Sequence, residues 1–75
     1  MKRISKATAR KMWNNGENFI MVPCKLSPKG LSACFTRCDL SNEWERSSFD
    51  ALVNEFTFYN CNRETGPYVA FYLEE

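Results

Sequence analysis

The sequence predicts an α+β domain of order α-β-β-α-β, a three-stranded antiparallel sheet with two helices on one face. Three observations carry that expectation. Two capped stretches have helical apolar spacing, three others are rich in β-formers, and a Pro-Gly turn joins the first two of these. All 75 residues, 1–75, read as one domain without internal repeat, low-complexity tract or linker. Six Phe, three Tyr and two Trp supply material for a core and argue against disorder. A chain this short buries a smaller fraction of its surface than a larger one, so a disulfide, a metal or a partner subunit is expected to reinforce it.

Ser5 reads as a helix N-cap, with Ile4 and Ala9 as a hydrophobic staple and Gly16 as the left-handed residue that ends the helix. The first helix therefore covers about residues 6–15. Ala9, Met12 and Trp13 share its narrow apolar face, and Lys6 and Arg10 lie along the Trp13 edge. A basic strip beside a Trp can hold a phosphate or an acidic partner, and it is more often a core Trp with solvated cations around it.

Residues 18–26 and 31–38 read as two strands. Ser27-Pro28-Lys29-Gly30 forms the turn between them, with Pro28 presetting the first corner and Gly30 taking the positive φ of a bulged loop. That loop sets Cys24 opposite Cys34 on one face. Residues 40–46 form a polar loop carrying Trp44. Ser47 or Ser48 then caps a second helix, whose Phe49, Leu52, Val53, Phe56 and Tyr59 make a broad apolar arc toward the sheet. Phe58 falls on the opposite face, where an aromatic needs a covering loop or a partner. Asn60-Cys61-Asn62 ends this helix, and Thr65-Gly66-Pro67 turns the chain into a final strand over residues 68–73. There Val69, Phe71 and Leu73 face the core, and Tyr68, Ala70 and Tyr72 line a face expected to be open.

No apolar run of signal-peptide length follows the basic start, and none approaches the ~18 residues of a membrane span. The chain is therefore expected to be cytoplasmic, where thiols stay reduced. The net charge of +1 hides a split: residues 1–30 carry seven basic and one acidic residue, residues 31–75 three basic and eight acidic. Folding can blend the two halves into one mixed surface.

Four cysteines and no histidine leave thiolates, carboxylates and water as metal ligands. Cys24, Cys34, Cys38 and Cys61 are the candidate set for one structural zinc. The competing readings are buried reduced thiols and a disulfide, and small size with reducing surroundings favours the metal. An extended strand would carry Cys38 ~13 Å from Cys34, so a shared ion requires a bend within Phe35-Thr36-Arg37. A closed four-thiolate site has no open position for substrate.

No catalytic constellation is legible, because the usual imidazole base is missing and neither a phosphate-binding Gly loop nor a nucleophile elbow is present. The expected activity is binding rather than catalysis. Tyr68 and Tyr72 on the sheet, with Glu43 and Glu45 in the acidic loop, are the candidate contacts to a protein partner. The alternative is a zinc-stabilised nucleic-acid-binding accessory protein, using Lys6, Arg10, Lys11 and Trp13 for phosphate attraction and base stacking.

The segments ISKATARKMWNNGENFIMVPCKLSP and FDALVNEFTFYNCNRETGPYVAFYLEE, residues 4–28 and 49–75, resemble a family of small uncharacterised proteins from phages and mobile elements of gut Firmicutes. Size, origin and four cysteines able to hold zinc also make the chain look like a metal-containing type II-A anti-CRISPR inhibitor. That resemblance implies a protein that binds a type II CRISPR effector nuclease and blocks DNA recognition or loading. It has no short defining motif, and it supplies no residue roles.

Overall fold

Strand β1 spans Lys2–Ile4, helix α1 Lys6–Asn14, strand β2 Ile20–Pro23, helix α2 Phe49–Asn60 and strand β3 Val69–Leu73. The computed structural model describes residues 1–28 and 48–73. The expected strand over 31–38, the end of the Ser27–Gly30 turn and the 40–46 loop lie outside these. β3 is the centre of a three-stranded antiparallel sheet of order β1-β3-β2, and with the two helices this makes an α+β fold.

Both helices begin where local chemistry dictates. The Ser5 hydroxyl accepts from the Thr8 amide at 3.1 Å and the Ser48 hydroxyl from the Ala51 amide at 3.1 Å, each satisfying a first-turn donor that has no carbonyl partner. Gly16, at φ 77°, lets the chain leave α1 in the left-handed region. Asn15 donates to the Lys11 carbonyl and Gly16 to that of Trp13, closing the last turn.

The core lies between the helices and one face of the sheet. Ala9 and Trp13 from α1, Phe49, Leu52, Val53 and Phe56 from α2, and Phe19, Met21, Val69 and Phe71 from the sheet side form one buried cluster. Phe19 is its hub, with ring centroids 6.2 Å from Trp13, 6.1 Å from Phe49 and 6.0 Å from Phe71. These tilted and edge-on contacts are the favourable aromatic geometries.

Four sequence expectations need correction. β1, at the N-terminus, was not anticipated. Its three residues are too few to show alternation, and Lys2 and Arg3 are exposed, so only its pairing with β3 makes it a strand. β2 stops at Pro23 rather than Leu26: Leu26 donates back to the Pro23 carbonyl at 2.9 Å and turns the chain. Pro23, which has no N–H, occupies the ladder position facing Val69, where none is needed.

The face bearing Tyr72 is not open, since Ile20, Val22 and Ala70 form a second buried cluster there, with Cys24 and Tyr72 packed at its edge. Finally, Tyr59 does not join the apolar arc of α2. It is 72% exposed, although at 100° per residue it stands only about 20° from the buried Leu52; it lies in the last turn of α2, beyond the four residues that reach the core.

Candidate functional site

The end of α2 and the end of β2 meet at a corner that holds two thiols. Cys61 caps α2, its amide donating to the Thr57 carbonyl at 3.0 Å. Asn62 then folds the chain back. Its side-chain oxygen accepts from the Glu64 and Thr65 amides at 2.8 and 2.9 Å, and its carbonyl accepts from Gly66 at 2.8 Å. This is an Asx turn closed by a single bridge between Asn62 and Gly66. The Thr65 hydroxyl fastens it to the helix by donating to the Asn60 carbonyl at 3.0 Å.

Residues 24 and 25 peel off the sheet into this turn. The Cys24 amide donates to the Tyr68 carbonyl and the Lys25 amide to the Thr65 carbonyl, both at 2.9 Å. Lys25 Nζ reaches the Arg63 carbonyl at 2.9 Å. Gly66 lies against the Cys24 sulfur. A Cβ at position 66 would overlap that sulfur and stand 2.9 Å from the Lys25 nitrogen and 3.0 Å from the Cys24 nitrogen.

Cys24 and Cys61 are free thiols, both half-buried. Burial pushes the Cys61 thiol above its ordinary range, the charge of a Cys24 thiolate pushes it further, and a hydrogen bond with Thr57 opposes both. A Cys24 thiolate beside it thus makes the Cys61 thiol harder to ionise, a penalty that a divalent cation would relieve. Among the described residues no group of three or more such ligands gathers at one point. Cys34 and Cys38, the other two of the expected set, lie outside the described residues.

The expected contact residues separate. Tyr68 is 56% exposed. Tyr72 is half-buried beside a shallow groove of 490 Å³ that Met1, Lys25 and Pro28 also line. Glu43 and Glu45 lie outside the described residues. Of the alternative set, Lys6 and Lys11 are exposed. Trp13 is only 4% exposed and packed on Phe19, so it presents no ring to a base. Arg10 is held in an ion pair with Asp50 at 2.8 Å, its guanidinium 5.4 Å from the centre of the Phe49 ring. That pair joins a basic residue of the first half of the sequence to an acidic one of the second.

Two features escaped the candidate set. One is the pairing of Phe58 with Tyr59, whose rings meet edge to face at 5.0 Å while 79% and 72% exposed. Helical spacing already puts Phe58 off the core; only the helix's placement exposes Tyr59. The other is the role of Gly66, signalled by the Asn62-x-x-Thr65-Gly66 turn chemistry but tied to Cys24 only by the fold. Comparison with known protein families, curated proteins and solved structures yields no match. No helix among the described residues is long and apolar enough to cross a membrane.

Proposed function

We propose that this chain is a non-enzymatic inhibitor that binds a larger protein and occludes a surface on it, with a structural zinc holding its cysteines together. The resemblance to type II-A anti-CRISPR inhibitors names the partner class, a type II CRISPR effector nuclease in the cytoplasm whose DNA recognition or loading is blocked. The observation that supports a contact role is the Phe58 and Tyr59 pair. Two solvated rings contribute little to the folding of their own chain, whereas aromatic anchors dominate interfaces. They sit on a helix whose Phe49, Leu52, Val53 and Phe56 are all buried, so the exposure is confined to its last turn.

The zinc would serve rigidity. Cys24 joins the end of β2 to the site and Cys61 the end of α2, so an ion shared by them would pin helix to sheet.

Gel filtration of the full chain with a guide-loaded type II effector nuclease tests the reading. Co-elution and reduced target cleavage are expected, and the F58A/Y59A variant is expected to lose both while keeping its thermal midpoint. Absence of co-elution, together with DNA binding that weakens steeply with salt, would replace this reading with the nucleic-acid-binding one.

A further inference from the structure

β1 is too short for the strand it pairs with, and the shortfall opens a groove. Its register with β3 runs Lys2↔Leu73, Arg3↔Tyr72 and Ile4↔Phe71, and there it stops. The position that would face Val69 is Lys6, already the first residue of α1. The phase of β3 follows from its other edge. The Cys24 amide donates to the Tyr68 carbonyl, so residue 68 turns its backbone groups toward β2. Alternation then turns those of Val69 toward the vacated side. The register with β1 gives Val69 no partner there.

A groove of 430 Å³ lies along this edge. Ile4, Ser5 and Lys6 close one end, Tyr68 to Phe71 form its floor, and Val53, Asn54 and Thr57 of α2 make its far wall. Its charge is one-sided: Arg3 and Lys6 line it, no Asp or Glu does among the described residues, and the first turn of α1 carries no acidic residue. The helix N-terminus adds its own positive end to the two cations.

We propose that this edge receives an extended acidic segment of a partner protein, which adds as a short strand beside β3 in the place a longer β1 would fill. Its backbone exchanges hydrogen bonds with Val69, and its carboxylates meet Arg3 and Lys6. The proposal rests on the protein-binding reading above and gives that partner a chemistry. Affinity for an isolated peptide is weak, because the uncovered edge is only a few residues long.

The test uses the full ¹⁵N-labelled chain and an end-capped peptide of alternating Glu and Val, followed by amide shifts and hydrogen exchange. Saturable shifts centred on Val69, slowed exchange of its amide and about tenfold weaker binding by R3E/K6E are the expected results. An N-methylated peptide should fail to bind. Equal shifts with a Lys and Val peptide, or no shift at millimolar peptide, would overturn the proposal. So would shifts reproduced by acetate alone, which mean a simple anion site, or shifts that follow protein concentration, which mean a second copy on the edge. Failure here with nuclease co-elution intact removes only the edge proposal; peptide binding without co-elution removes only the nuclease.

Discussion

Gly66 and Cys24 are locked together: the glycine has no Cβ, and the Cys24 sulfur occupies the space that one would need. Gly66 also sits at φ 120°, a conformation that L side chains rarely adopt. The contact joins the turn after α2 to the end of β2, so a side chain there must displace the sulfur and two backbone nitrogens.

G66A is therefore expected to destabilise the fold by about 3 kcal/mol, measured by urea denaturation. Gly16 is the control. It too has a positive φ, but open space surrounds it, so G16A should cost about 1 kcal/mol and G16N less. Equal losses at the two glycines would refute the steric account of the corner.

Truncation on α2 should divide sharply by face. Leu52 is 2% exposed, and L52A should cost about 2 to 5 kcal/mol. Phe58 touches Tyr59 in solvent, so F58A should cost no more than about 1 kcal/mol. Thermal melts of the two variants measure the difference.

The two serine caps are equivalent in geometry, and each hydroxyl satisfies one amide. S5A and S48A should each lose about 1 kcal/mol, with Asp in place of Ser restoring most of it. A fully stable S48A would mean that the packing of Phe49 alone sets the start of α2.

Arg10 and Asp50 are both exposed, so their 2.8 Å pair is expected to contribute little. R10A should change stability by less than about 1 kcal/mol, with part of that from lost contact over the Phe49 ring. The effect of the pair itself should fade as salt rises.

If the thiol corner holds zinc, native mass spectrometry of the purified chain should show one ion that a chelator removes. C24S and C61S should each weaken its retention, and removing it should lower the thermal midpoint. An apo mass before and after chelation would eliminate the metal and leave two half-buried reduced thiols.

The chain's local signals were legible because each acts within a few residues. Ser5 and Ser48 cap amides three positions on, Gly16 ends its own helix, and the spacing of Phe49, Leu52, Val53 and Phe56 marks a face whatever that face meets. Only tertiary structure decided what lies far apart in sequence. Lys2–Ile4 is a strand because β3, some 70 residues on, lends it hydrogen bonds, and Cys24 and Cys61 share a corner because a turn and a strand end converge. Capping and periodicity are short-range physics that one segment can carry. Strand pairing and burial belong to surfaces that exist only once distant segments meet.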